Sequence, residues 1–194
     1  LAAEFPVYAD LVYKLGDSPF SRPDSLSRRG DRFLSNVFFW HLRTLLFCLT
    51  YVPRTNVVCE IESGYGGLAR LWLSQRRKPV NTYILVDFPE SLFFAEVFLK
   101  LHNIEVRYVT SDNQLVFNFW PVVLCPIQFV DALLDWNIDL AINVGSMQEM
   151  TEEQVDFWME WLDRSRLEWF YSLNYFWLPV GTGEESSNCW CPRH

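Results

Sequence analysis

The chain has 194 residues, half of them apolar, and its 16 lysines and arginines against 24 aspartates and glutamates give a formal net charge of −8. This length and apolar content predict a single domain, residues 1–194, with a substantial core that needs no disulfide or metal in order to fold. The acidic balance excludes nucleic acid as an expected partner, and the apolar runs are too short to predict a membrane span.

Residues 1–55 are predicted to form a mainly helical N-terminal cap. Prolines and glycines punctuate the first thirty residues, which predicts irregular or short-helical structure rather than a strand. From Asp31 to about Tyr51, apolar residues recur at helical spacing until Pro53 ends the pattern. We therefore expect one long, mostly buried helix over 31–51.

Residues 56–177 alternate between strand and helix patterns and are predicted to form a cofactor-binding core. The predicted elements are a strand at 57–61, a helix at 66–77, a strand at 82–86, a helix at 90–102 and a third strand at 106–110. Consecutive strand–helix–strand units predict parallel pairing with right-handed crossovers. The expected fold class is therefore α/β and Rossmann-like, an open and mostly parallel sheet with helices on both faces.

The second half of this core is less regular. Residues 112–135 are broken by prolines and predict irregular structure or a short strand, followed by a helix near 128–134. A fourth parallel strand is expected at 138–144 and a fifth at 167–173. Between them, Thr151 and Gln154 have the spacing of a capping box, which predicts a helix from Thr151 to about Arg164. Residues 178–194 are expected to be an irregular tail.

The glycine turn after the first predicted strand, residues 60–70, suits two classes of cofactor. Gly64 to Ala69 satisfies the dinucleotide pattern, with Asp87 placed as the ribose acid, so an NAD-dependent oxidoreductase is one interpretation. However, Glu60 would lie near an anionic pyrophosphate, which is unfavourable. S-adenosylmethionine carries a sulfonium and an ammonium but no phosphate, so the same acid favours that cofactor.

Four segments resemble the sugar O-methyltransferases of polysaccharide biosynthesis, a family of class I S-adenosylmethionine-dependent methyltransferases. The segments are 60–70, 83–95, 139–150 and 170–174, and the resemblance covers roughly residues 57–177. It implies methyl transfer from S-adenosyl-L-methionine to a hydroxyl of a sugar, nucleotide-linked or part of a glycan.

The resemblance also implies a set of cofactor-binding residues. Asp87 would accept both ribose hydroxyls, and Ser111 or Asp112 would contact the adenine amine unless Asp112 only forms a turn with Asn113. The full set is Glu60, Ser63, Gly64, Tyr65, Gly66, Asp87, Phe88, Ser111, Asp112 and Asn143.

One position departs from the family pattern. Glu62 stands where the first motif glycine is expected. Its side chain could point away from the cofactor, form a salt bridge with the cofactor ammonium, or block the site.

Methyl transfer to a sugar hydroxyl requires an oriented acceptor oxygen and a base or metal that assists loss of its proton. Glu149 is the first candidate for the base, although its charge also suits the start of the following helix. His41 is the second, although a lone histidine in an apolar helix also fits a core position. The candidates for acceptor binding are Ser146, Gln148, Tyr171 and Asn174.

No metal ligands are assigned, and dependence on a divalent metal stays open. Cys189, Cys191 and His194 offer soft ligands, but no second cluster completes a tetrahedral site. Five cysteines are an odd number, and three of them lie in apolar segments, which fits a reducing cytoplasm better than secretion.

A non-catalytic binding or assembly protein is a second alternative. Glu62 favours it, as do the roughly twenty residues after the fifth predicted strand, too few for the antiparallel pair that normally closes a class I sheet. We therefore expect either a shortened chain or an open edge that a partner covers. The aromatic excess, 17% of residues, allows a homo-oligomer without requiring one.

Overall fold

A computed structural model describes residues 1–20, 25–110 and 120–174. Over these residues the protein has a Rossmann-like α/β fold, a six-stranded parallel sheet with helices on both faces. In chain order the elements are α1 (Ala9–Lys14), β1 (Ser27–Arg29), β2 (Arg32–Leu34), α2 (Asn36–Tyr51), β3 (Val57–Ile61), α3 (Gly67–Ser74), β4 (Thr82–Asp87), α4 (Pro89–Leu101), β5 (Val106–Tyr108), β6 (Val122–Pro126), β7 (Asn137–Val144), α5 (Glu152–Arg164) and β8 (Arg166–Leu173). Short 3-10 helices lie at Pro6–Tyr8, Ile127–Leu133 and Met147–Glu149.

The strand order of the large sheet is β5-β6-β4-β3-β7-β8, and every neighbouring pair is parallel. From β3 the chain first builds one side of the sheet and then returns to build the other side, starting with β7 next to β3. The topological switch point therefore lies between β3 and β7. In open α/β sheets, ligands bind in the crevice outside the carboxyl ends of the strands at such a point.

The core has two layers, one on each face of the sheet. On one face, α2, α3 and α4 pack against the apolar side chains of β3, β4 and β6. On the other face, α5 and the 3-10 helix at 127–133 cover the alternate side chains of the same strands. Part of the aromatic content is core, since three tryptophans are fully buried: Trp72, Trp158 and Trp161.

The N-terminal region differs from its prediction. Residues 27–34 form an antiparallel hairpin, where irregular or short-helical structure was expected up to residue 30 and the long helix from residue 31. Gly30 supplies the positive φ, 61°, that the two-residue turn needs. The long helix begins at Asn36 rather than Asp31, because the Ser35 side chain caps it by accepting a hydrogen bond from the N–H of Phe38.

The region after the third predicted strand adopts the short-strand alternative, because β6 is a sixth strand of the large sheet. It lies between β4 and β5, so β5 occupies the edge of the sheet. β5 ends at Tyr108 rather than at residue 110. Asp87 of β4 is consequently in register with Pro126 of β6. The helix expected near 128–134 is a 3-10 helix over Ile127–Leu133.

The remaining elements agree with the sequence patterns to within a few residues. The strand at Val57–Ile61 is confirmed, as is the capping box that starts α5, in which Thr151 and Gln154 exchange hydrogen bonds. The helix after the glycine turn ends at Ser74 instead of Arg77. The expected tail at 178–194 lies outside the described residues.

Candidate functional site

The glycine turn joins the carboxyl end of β3 to α3 and has a left-handed backbone at alternate positions. The φ angles are 53° at Glu62, 56° at Gly64 and 79° at Gly66. For a residue with a Cβ this conformation costs about 1–2 kcal/mol, which glycine avoids. Glu62 therefore keeps the backbone conformation suited to the missing glycine, and the turn retains its path.

Asp87, the last residue of β4, is tied to this turn. Its carboxylate accepts hydrogen bonds from the N–H of Gly64 at 2.7 Å and from the N–H of Phe88 at 2.7 Å. The side chain is 5% exposed. One bond reaches each oxygen, so both oxygens keep lone pairs for further donors such as ligand hydroxyls. The Phe88 ring beside it is about half exposed.

Glu60 is buried beneath the turn. Its Oε2 accepts a hydrogen bond from the Tyr83 hydroxyl at 2.9 Å, and only 4% of the residue is exposed. Burial raises the pKa of this carboxyl to about 8, against the smaller opposing effect of the Tyr83 hydrogen bond. Glu60 is then mostly neutral at pH 7. A neutral Glu60 neither repels a pyrophosphate nor attracts a sulfonium strongly, so it distinguishes the two cofactors less than its sequence position suggests.

Glu62 occupies a different environment, at the mouth of the switch point. Its carboxyl hydrogen bonds with Ser146, and the carboxylates of Asp87 and Glu149 lie close enough to act on it. Partial burial raises its pKa, and repulsion from Asp87 raises it further. The Glu62 side chain therefore lies among groups from the ends of β4 and β7. The carboxyl ends of β3, β4 and β7 thus bring three acids together.

Side-chain amides hold together the ends of β7 and β8. Asn143 is fully buried, and its Nδ2 donates to the Ser146 Oγ at 2.5 Å and to the Ile61 carbonyl at 3.3 Å. Its Oδ1 accepts from the Asn174 Nδ2 at 3.0 Å. Asn143 thus connects the ends of β3, β7 and β8 and orders the residues around Ser146.

Of the two predicted bases, Glu149 lies beyond the carboxyl end of β7 and His41 lies on α2. Glu149 is exposed at the end of the 3-10 helix after β7. His41 sits over the start of α3, where a Cβ added to Gly67 would lie 2.7 Å from its Cε1 and 2.5 Å from the Tyr65 hydroxyl oxygen. Burial lowers the pKa of His41 to about 4, so its imidazole is neutral at pH 7.

Of the other residues predicted to bind the acceptor or the adenine, only some lie at the carboxyl edge of the sheet. Gln148 is exposed, and its N–H donates to the Asn174 Oδ1 at 3.4 Å. Tyr171 instead packs its ring against Phe47 of α2, with 5.1 Å between the centroids. Ser111 and Asp112 lie outside the described residues.

Sequence reasoning missed the segment that follows β6. Because β6 is the neighbour of β4, Ile127 and Gln128 lie at the carboxyl edge on the Asp87 side. The signal was present in the apolar run 122–125, which is a buried strand. These two residues join Phe88 as candidates to line a pocket for a planar ring.

Within residues 1–20, 25–110 and 120–174, no three histidine, cysteine or acidic side chains are grouped so as to hold a metal ion. Asp139 lies near the opposite, amino-terminal end of the strands, where its carboxylate accepts a hydrogen bond from the N–H of Val57 at 2.9 Å. In the turn itself, the Ser63 Oγ is buried without a hydrogen-bond partner among the described residues.

Comparison with known proteins adds no assignment. No protein-family model matches the chain, and no curated protein matches it. A search of the described helices found none with the length and apolar character needed to cross a membrane. Evidence on function therefore comes from the geometry of the site.

Proposed function

We propose that the protein is a class I S-adenosylmethionine-dependent methyltransferase that acts on a hydroxyl of a sugar. The observation that carries this proposal is the acid at the end of β4, Asp87, which the backbone of the glycine turn holds beside the β3–β7 switch point. The Asp87 carboxylate can therefore accept hydrogen bonds from the hydroxyls of a ligand, beside a glycine turn whose backbone the ligand can approach closely.

The charge at this edge supports a cationic cofactor. Asp87 and Glu149 both repel the Glu62 carboxylate there, so a pyrophosphate would add to the repulsion while a sulfonium or an ammonium would relieve it. Asp87 would hold the ribose hydroxyls, and Phe88 with Ile127 would flank the adenine. Gly64 has no heavy atom of the described residues within 4 Å of an added Cβ, which leaves room for the ligand.

The cofactor, when bound, supplies an electrophilic methyl group. The chain's own residues then have to hold the acceptor oxygen in line and take its proton. Glu149 takes the proton, because its carboxylate is exposed at the edge where the acceptor enters. Ser146, Gln148 and Asn174 lie beside it at the ends of β7 and β8 and orient the sugar.

An NAD-dependent oxidoreductase is the rival function, and one observation favours it. Among the described residues, the N-terminus of α3 has no side-chain cap and no acid in its first turn, so the positive end of the helix is not offset by a carboxylate and favours a phosphate. A phosphate of NAD would lie at the positive end of this helix, whereas S-adenosylmethionine has no phosphate to place there.

Calorimetric titration with S-adenosylhomocysteine and with NAD separates the two functions. We expect S-adenosylhomocysteine to bind and NAD not to bind, and we expect Asp87→Asn to weaken S-adenosylhomocysteine on the order of 100-fold, since two hydroxyls lose a charged acceptor. Asp163→Asn, an exposed change of the same charge on α5, is the matched control. Binding of NAD alone would overturn the proposal.

Labelled-methyl transfer to a panel of sugars tests the base. Removing a general base slows the reaction by about 100-fold to 10,000-fold, so Glu149→Gln should lose turnover to that extent while S-adenosylhomocysteine still binds. Glu153→Gln, one turn further along at the start of α5, controls for the loss of a carboxylate at this edge. Turnover near the native value in Glu149→Gln would remove Glu149 from the mechanism.

A further inference from the structure

We propose that Glu62 is the counter-ion that binds the ammonium group of the cofactor's amino-acid portion. This inference rests on the proposed function and deepens it, because it assigns a binding role to the residue that replaces the expected glycine. Three features of the turn carry it: the position of Glu62 in the sheet, the charges around its carboxyl group and the conformation of its backbone.

The position of Glu62 places it on the path of the ligand. Asp87 ends β4, and Glu62 and Ser146 follow the neighbouring strands β3 and β7. Adjacent strands are about 4.8 Å apart. A ligand with its ribose on Asp87 and its reacting end beside Ser146 spans about 10 Å along this edge. Such a ligand has to pass the end of β3, and Glu62 is the side chain that meets it there.

The local charges make a cation the matching ligand group. The Glu62 carboxyl lies close to the carboxylates of Asp87 and Glu149, and the Ser146 hydroxyl is the neutral group that hydrogen bonds with it. A carboxylate has about four acceptor positions, so capacity is left after this single bond. An ammonium placed here gains a charge-assisted hydrogen bond and offsets the repulsion that Asp87 and Glu149 exert on Glu62.

The conformation of the turn and a buried hydroxyl within it also favour a bound ligand. The backbone at Glu62 stays left-handed, so the carboxylate is added without a change in the path of the turn. The next side chain, Ser63, is 7% exposed, and its Oγ has no hydrogen-bond partner among the described residues. A buried hydroxyl without a partner is costly, which is an independent sign that a polar ligand group belongs at this turn.

Calorimetric titration with two ligands tests the inference. S-adenosylhomocysteine carries the ammonium, whereas 5′-methylthioadenosine retains the adenosine and the thioether but has no amino-acid portion. We expect Glu62→Gln to weaken S-adenosylhomocysteine about 10-fold to 100-fold, as for loss of one charge-assisted hydrogen bond, and to leave 5′-methylthioadenosine unchanged. Binding of 5′-methylthioadenosine also shows that the variant is folded. Glu90→Gln, an exposed acid in the first turn of α4, is the matched control.

The outcomes separate this inference from the proposed function. If native protein binds both ligands and Glu62→Gln affects them equally or not at all, the inference is wrong and the proposed cofactor stands. If native protein binds only 5′-methylthioadenosine and Glu62→Gly gains S-adenosylhomocysteine, Glu62 blocks the amino-acid portion and the inference is also wrong. If neither native protein nor Glu62→Gly binds either ligand, the proposed function itself fails.

Discussion

The carboxyl edge of the sheet has two halves that are held together in different ways. In the β3–β4 half, the backbone does the positioning: the N–H groups of Gly64 and Phe88 fix Asp87, and the N–H of Ser63 donates to the Val86 carbonyl at 3.3 Å. In the β7–β8 half, side-chain amides do it, with Asn143 at the centre.

This difference explains how the turn accommodates a glutamate where glycine is expected. A framework of backbone hydrogen bonds depends on φ and ψ, so a new side chain is tolerated if it accepts the left-handed conformation at modest cost. A framework of side-chain amides depends on the identity of each residue. We therefore expect substitutions to be tolerated better in the β3–β4 half than in the β7–β8 half.

The largest expected effect is in the β7–β8 half. Asn143→Leu removes every hydrogen bond of a fully buried amide and leaves Ser146 and Asn174 without it, so the free energy of unfolding should fall by about 3 kcal/mol. Urea denaturation measures this change. Asn137→Leu, at the exposed start of the same strand, is the control and should stay within about 0.5 kcal/mol of native. Equal effects of the two variants would contradict the importance of the amide network.

Most of the fold was accessible from sequence because its local signals are strong. Val57–Ile61 is a strand that is apolar except for Glu60 and precedes a glycine turn, and Thr151 with Gln154 forms a capping box that the structure confirms. The hairpin at 27–34 was missed because three-residue strands have no clear periodicity, and only the turn at Gly30 marks it. The position of β6 between β4 and β5 could not be predicted, since pairing of distant strands leaves no local pattern.

The site was only partly accessible for a related reason. The sequence predicts an acid, Asp87, at the end of the second core strand, and the structure has it there. The hydrogen bond from the Gly64 N–H to this acid was not predicted. Burial is what changes the interpretation of Glu60, and a sequence does not report how deep a carboxyl lies. The neighbours of Glu62 come from β4 and from beyond β7, more than twenty and more than eighty residues away, so their convergence depends on the completed sheet.

Glu60 provides an intermediate effect that depends on pH. Its pKa is about 8 when folded and near 4.5 when unfolded, so between these values the folded state holds a proton that the unfolded state has lost. The sign follows: this group makes stability fall as pH rises through the window, by up to about 1.4 kcal/mol per pH unit. Glu60→Gln cannot ionise, and its amide oxygen can still accept from Tyr83. Its stability relative to native should therefore rise from pH 5 to pH 8.

Urea denaturation at pH 5, 6.5 and 8 measures this difference, with Glu160→Gln on the exposed face of α5 as the control. A difference between Glu60→Gln and native that stays constant with pH would mean that Glu60 is ionised in the folded protein. That result would restore the charge argument against a pyrophosphate, because a permanent anion would then lie beneath the turn.

The smallest expected effect tests whether the backbone governs the β3–β4 half. Glu62→Gly removes the penalty of a Cβ at φ 53°, about 1–2 kcal/mol, but it also makes the unfolded chain more flexible, which takes back about half of the gain. We expect a net stabilisation of about 0.5–1 kcal/mol in urea denaturation at pH 7. Glu62→Ala keeps the Cβ and removes the carboxylate, with its repulsion from Asp87 and Glu149 and its hydrogen bond with Ser146, so it separates the effect of the carboxylate from that of the backbone. If Glu62→Ala is as stable as Glu62→Gly, the carboxylate and not the backbone conformation governs stability at this position. The β3–β4 half would then depend on side-chain identity, as the β7–β8 half does.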